Sequence, residues 1–265
     1  MPTASIDGVR LQYQRSGSGP PVLLIMGLAM PGEGWRRQVQ DLARDHELCW
    51  YDNRGIGGSD SPAGLYTTRL LARDGLGLMD ELGWSSAHVV GISMGGMIAQ
   101  HLAMLEPRRV RSLSLLATHA GGLGGRPTLR GVATFLRAQL ERDDERRRRL
   151  IGELLFSPEF VRDHEGELYD DLGPIADQRC SAWGMLGQLA AALTHQSRRR
   201  LHQLRGIPTL VITGTGDILV RPHNSERIAD RLHGRLIEVP GAGHGVTIEA
   251  DDLVNAALRE HFARA

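Results

Sequence analysis

Residues 90–97 read Val90-Gly91-Ile92-Ser93-Met94-Gly95-Gly96-Met97, a serine enclosed by glycines where an apolar run gives way to helical spacing. A serine in a tight turn is usually only a turn former, so its surroundings decide what it means. Ahead of it His88-Val89-Val90 is strand-like, and after it Gly96 to Leu102 is helix-like. In that strand-turn-helix setting the pattern G-x-S-x-G carries chemical meaning. The serine would occupy a strained turn, and a side chain at Gly91 or Gly95 would collide with the neighbouring strand and helix. The helix that follows would point free N–H groups at the place where an anion forms.

Working outward, residues 4–15 alternate around an Asp7-Gly8 turn and read as a hairpin with Val9, Leu11 and Tyr13 on one face. Val22 to Met26 is a continuous apolar run, the mark of a strand buried on both faces, and Gly27 ends it. Helical spacing over 35–44 leads to a strand from Glu47 to Tyr51. A helix from about Thr67 to Leu82, a strand Ala87 to Val90, a helix Met94 to Leu105 and a strand Val110 to Leu116 follow. Later come a strand Pro208 to Thr213, a helix Ser225 to Leu232, a strand Arg235 to Val239 and a helix Ile248 to His261. Strands alternating with helices imply an α/β fold, a mostly parallel sheet of about eight strands with helices on both faces.

Between His119 and Leu204 the alternation stops and the sequence becomes helical and charge-rich. A structureless loop of that length is improbable. The expected organisation is a core of residues 1–118 and 205–265 with residues 119–204 inserted as a helical cap. The run Arg146 to Arg149 follows Glu141, Asp143, Asp144 and Glu145, which reads as a solvated face with i,i+4 pairs.

Composition narrows the function classes. Lys+Arg and Asp+Glu both total 31, so no global field favours nucleic acid or an acidic membrane, and the expected partner is a small, weakly charged molecule. Cys49 and Cys180 have no metal or redox spacing, which fits a reduced, cytoplasmic setting with no metal. The N-terminus has no signal pattern and no apolar run approaches the ~20 residues that span a bilayer. A homo-oligomer stays open.

A serine hydroxyl is a poor nucleophile, so the reading requires a histidine to take its proton and an acid to orient that histidine. These should follow in the order acid, histidine, each just beyond a core strand. Leu210 to Thr213 leads into Gly214-Thr215-Gly216-Asp217, and Leu236 to Val239 leads into Pro240-Gly241-Ala242-Gly243-His244-Gly245. Ends of parallel strands share one edge of the sheet, where open α/β sheets place their sites. Asp177 and Glu249 compete with Asp217, but neither follows a core strand.

With these motifs the chain resembles the α/β-hydrolase fold superfamily, in its capped esterase, lactonase and haloperoxidase-like branch. The resemblance spans the hairpin to the last helix, and Asp52-Asn53-Arg54-Gly55-Ile56-Gly57-Gly58-Ser59-Asp60 is similar to the family's D-x-R-G-x-G-x-S turn, to which we assign a structural role. It implies Ser93 as nucleophile, His244 as general base and acid, and Asp217 as orienting acid. It further implies an oxyanion hole from the backbone N–H groups of Met94 and Leu28, with no cofactor. Where the family usually has His-Gly-x, this chain has Met26-Gly27-Leu28, a more apolar loop that favours a more apolar substrate. The Met-Gly loop is similar to that of methylesterases acting on polyketide antibiotics.

Gly27, His119, Trp183 and Met185 are the expected substrate contacts. His119 follows the strand that ends at the active edge, while the two insert residues lie among apolar positions that could equally pack the cap on itself. His88 and His101 read as structural, His46 and His261 as exposed, and His195 and His202 could face either way. The expected reaction is hydrolysis of a carboxylic ester or lactone of a small, largely apolar molecule through an acyl-serine. C–C bond hydrolysis, cofactor-free haloperoxidase or perhydrolase chemistry, and a non-hydrolytic binder or cyclase on the same scaffold are the alternatives.

Overall fold

The predicted hairpin is formed by β1 (Thr3–Ile6) and β2 (Val9–Ser16). Asp7 (φ 47°) and Gly8 (φ 78°) turn it, the left-handed geometry that two-residue hairpins require. This computed structural model describes residues 1–122, 128–164, 166, 172–173, 178 and 180–265. Asp177 therefore lies outside the described residues.

The remaining strands are β3 (Pro21–Ile25), β4 (Glu47–Tyr51), β5 (Ala87–Ile92), β6 (Val110–Leu116), β7 (Thr209–Gly214) and β8 (Arg235–Val239). All eight join one sheet in the order β1-β2-β4-β3-β5-β6-β7-β8. The hairpin pairs antiparallel, β1 with β2 and β2 with β4, and every later pairing is parallel. The chain leaves β3 for β4 on one side and returns to β5 on the other. The crevice beyond the carboxyl ends of β3 and β5 is therefore a topological switch point, where such sheets hold ligands.

Core helices are α1 (Arg36–Leu42), α2 (Thr68–Glu81), α3 (Met94–Leu105), α8 (His223–Leu232), α9 (Val246–Glu249) and α10 (Asp251–Ala263). Strand alternation divides their burial. Leu23, Ile25 and Val89 pack with Leu71, Leu78, Ile98 and Leu102 on one face; Val22, Leu24 and Val90 pack with Leu42, Val254 and Leu258 on the other. Both faces of the central strands are thus apolar, as the continuous runs in the sequence require.

Between β6 and β7 the described residues form α4 (Leu129–Leu140), α5 (Asp144–Leu155), α6 (Pro158–Asp163) and α7 (Ala182–Thr194). Each starts on a hydroxyl or carboxylate cap: Thr128, Asp143, Ser157 and Ser181 accept from the N–H three residues on. Arg149 pairs with Glu145 one turn back.

Two expectations change. The final helix is broken at Ala250 (φ −137°, ψ 43°) into α9 and α10. The break turns the Glu249 carboxylate onto the N–H groups of Gly243 (2.8 Å) and Ser157 (3.2 Å). His46 and His261 are buried: the His46 ring packs on Phe262 at 5.2 Å between centroids, and the His261 ring lies by the backbone of Leu113 and Pro208.

The Asp-x-Arg turn holds loops together. Asp52 accepts from the N–H of Gly32 (2.7 Å) and Gly58 (2.9 Å) and from the Gln12 amide (3.1 Å), while Arg54 makes a two-pronged buried pair with Asp74 of α2 (2.6 and 2.5 Å).

Candidate active site

Ser93 stands between β5 and α3 with φ 56° and ψ −121°, a conformation that costs of order 1–3 kcal/mol unless its surroundings enforce it. They do. Its N–H donates to Leu116 (2.9 Å), its carbonyl accepts from Gly96 (3.0 Å), and the Thr118 hydroxyl donates to the same carbonyl (2.7 Å). A Cβ on Gly91 would sit 2.3 Å from the Gly95 carbonyl oxygen, and one on Gly95 would sit 2.0 Å from that of Ile25. The glycines are the space that α3 and β3 need to approach the elbow.

Asp217 and His244 close one arm of the site. Nδ1 of His244 lies 2.7 Å from Oδ2 of Asp217. The other carboxylate oxygen accepts from the N–H groups of Leu219 (2.7 Å) and Val220 (2.8 Å), so the acid is fully engaged and buried. The loops carrying the pair brace each other through Thr215 N–H to Val239 (3.0 Å) and Gly216 N–H to Ala242 (2.9 Å). On either side of His244, Gly243 donates to Glu249 and Gly245 donates to the Leu155 carbonyl (2.7 Å) at the end of α5. Glu249, a competitor for the acid in the sequence, is thus a brace for the histidine loop.

Ser93 and His244 face one cavity of about 780 Å³. Ser93 Oγ makes no hydrogen bond to a described residue, and in unliganded sites such side chains commonly lack the contacts that a substrate brings about. Leu28 and Met94 line the cavity beside the serine. Neither backbone N–H donates to a described residue, which leaves both for an incoming oxygen. Gly27 packs on the serine, where a Cβ would be 3.1 Å from Ser93 Cβ. The loop is fixed by Ala29 (φ 58°), whose N–H donates to the Gln188 side chain (2.8 Å); that amide in turn donates to the Arg54 carbonyl (2.9 Å). Gln188 is wholly buried on α7. The sequence carries only a polar residue in an apolar helix as its signal.

The rest of the wall is largely apolar and comes from core and insert alike, Met26, Ile92 and Met97 from one, Phe135, Leu154 and Leu189 from the other. His119 and His195 line it too, whereas His202 is exposed. Burial, with the nearby His244 adding to it, pushes the His119 pKa down to about 4, so the ring is neutral at pH 7.

Trp183 and Met185 do not line the cavity. Trp183 is 53% exposed. A Cβ on Gly184 would meet the Gly55 Cα at 2.6 Å and one on Gly187 would meet the Tyr66 ring at 2.6 Å. That close docking fixes the rotation of α7, turns Trp183 to solvent, and leaves the C-terminal half of the helix, with Leu189, Ala192 and Leu193, to reach the cavity. Among the described residues no group of three or more His, Cys, Asp or Glu is placed to hold a metal. None of their helices is long and apolar enough to cross a membrane.

The sequence pattern of the alpha/beta hydrolase fold matches residues 20–251: the chain belongs to the alpha/beta hydrolase family and is a hydrolase. Among its relatives, a Mycobacterium tuberculosis protein named "Putative non-heme bromoperoxidase BpoC" is 32% identical, with 96% of this chain and 98% of that one covered. An Azorhizobium caulinodans protein named "Putative carbamate hydrolase RutD" is 29% identical, covering 97% of each chain. The crystal structure of an enol-lactonase from Burkholderia xenovorans superposes with a TM-score of 0.86 at 25% identity, over 99% of this chain and all of that one (100%).

Proposed function

We propose that the protein is a serine esterase or lactonase acting on a small, largely apolar molecule without a cofactor. The observation that carries this reading is the buried Asp217–His244 pair at 2.7 Å opening on the same apolar cavity as the strained Ser93. Ser93 Oγ attacks the carbonyl carbon as its proton passes to Nε2 of His244. The N–H groups of Leu28 and Met94 hold the tetrahedral oxyanion, the charge that preorganised donors stabilise most. Collapse breaks the acyl–oxygen bond, and His244 returns the proton to the departing alcohol oxygen. A water then attacks the acyl-serine, again through His244, releasing the acid and restoring Ser93. Asp217 accepts from Nδ1–H and holds the ring so that Nε2 faces the serine.

The enol-lactonase among the structural relatives supports the ester and lactone class, and the Met26-Gly27-Leu28 loop supports an apolar substrate. Residues 119–204 serve as the cap that closes the cavity. Free thiols at Cys49 and Cys180 favour a cytoplasmic setting.

A fluorophosphonate probe tests the reading, with mass spectrometry expected to place a single adduct on Ser93 in the parent and none in Ser93→Ala. A folded parent left unlabelled would overturn it. On p-nitrophenyl esters, kcat/KM should rise from acetate to hexanoate by up to about fourfold per methylene, since each buried CH2 is worth ~0.8 kcal/mol.

A further inference from the structure

We infer that His119 is a substrate-reading residue: its Nε2–H donates to a second oxygen of the substrate, next to the scissile carbonyl, so that the preferred esters and lactones carry an ether, keto or hydroxyl oxygen there. This rests on the serine-hydrolase reading above.

The tautomer follows from the local bonding. The Gly121 N–H donates to His119 Nδ1 at 3.0 Å, so Nδ1 is an acceptor and the neutral ring carries its proton on Nε2. That N–H has no acceptor among the described residues, and the residue, only 8% exposed, lines the cavity with Ser93 and His244. The donor opens on the cavity, and a substrate that covers it without offering an acceptor would leave it desolvated and unpaired, which is costly.

The ring is also held for the task. The His119 carbonyl accepts from the Gln100 amide (3.1 Å), which donates to the Gly96 carbonyl at the same distance (3.1 Å) and whose oxygen accepts from the Ser197 hydroxyl (2.6 Å). The preceding residue, Thr118, is bonded to the carbonyl of Ser93. His119 is therefore tied to the turn at Ser93 through its own carbonyl and through the side chain of Thr118 before it, and its imidazole stands against His195 with ring centroids 5.9 Å apart. Because burial holds it neutral, the ring presents a dipole, which suits an uncharged oxygen. With His195 beside it, the ring is set in a wall that is otherwise largely apolar, so a hydrocarbon at that spot would leave the N–H unpaired, whereas an oxygen would satisfy it.

Two isosteric pairs measure the effect: p-nitrophenyl methoxyacetate against p-nitrophenyl butyrate, and 2-methoxyethyl acetate against butyl acetate. In each, one CH2 is replaced by oxygen, on the acyl and on the alcohol side respectively. Intrinsic reactivity cancels when the kcat/KM ratio of a pair is compared between variants. His119→Asn keeps an acceptor where Nδ1 meets Gly121, but its shorter side chain leaves no donor at the depth of Nε2; His119→Gln keeps a donor at that depth. The expected result is that the preference for the oxygen-bearing member of at least one pair falls about three- to tenfold in His119→Asn, the worth of one neutral hydrogen bond, and is largely retained in His119→Gln. If His119 only supports the turn at Gly121, His119→Asn behaves as the parent and His119→Gln is the impaired variant. That outcome, or unchanged ratios in both pairs, overturns the inference. The Ser93→Ala control separates this from failure of the underlying reading, which would appear as ester turnover independent of Ser93.

Discussion

Asp217 never reaches the cavity, yet its two oxygens are fully used, one by His244 and one by the Leu219 and Val220 N–H groups. Asp217→Asn preserves shape and the capacity to accept, but its amide can present a donor to Nδ1 and favour the wrong tautomer. Turnover should fall about ten-thousandfold with little change in thermal stability or in binding of a non-hydrolysable ligand; steady-state kinetics beside a melting curve checks both. The elbow itself was legible because its requirements are local: Gly91 and Gly95 stand where any Cβ meets a carbonyl oxygen. Asp217 and His244 were legible because both terminate apolar runs, so chain order and sheet topology brought them to one edge.

At the scale of elements the sequence was less informative. The apolar content of α7 announces a buried helix but not its rotation, and Trp183 is the largest side chain on it. What sets the rotation is contact between Gly184 and Gly55, a backbone approach between distant segments that leaves no mark in hydrophobic spacing. The same approach brings Gln188 beneath the loop of Gly27 to Ala29. Gln188→Leu would strip the Ala29 N–H and the Arg54 carbonyl of their buried partner. On the proposed mechanism it should lower kcat about tenfold while KM changes little, because a donor aimed at an oxyanion acts in the transition state more than in the ground state. An equal loss in every parameter, accompanied by a collapse in melting temperature, would mean that Gln188 serves folding alone. The break at Ala250 was similarly hidden, since α9 and α10 carry one continuous apolar stripe.

Across the whole molecule, the histidines give stability an acid limit. Burial lowers His88, His101 and His119 to about 4, below the ordinary ~6.5. An unfolded chain therefore binds more protons than the native one between those values, so their contribution is complete above pH 6.5 and is lost as pH falls toward 4. Each is worth up to about 1 kcal/mol per pH unit in that window. Urea midpoints should hold steady from pH 8 to 7 and drop below 6.5, and His101→Gln should flatten the drop. One bond described above ties the two halves of the chain together in another sense. Gly245 leans on the Leu155 carbonyl, so the loop bearing His244 takes part of its support from the inserted helices. Grafting residues 119–204 from a relative would transplant an anchor along with a new cavity wall, and such chimeras should differ in turnover as well as in taste.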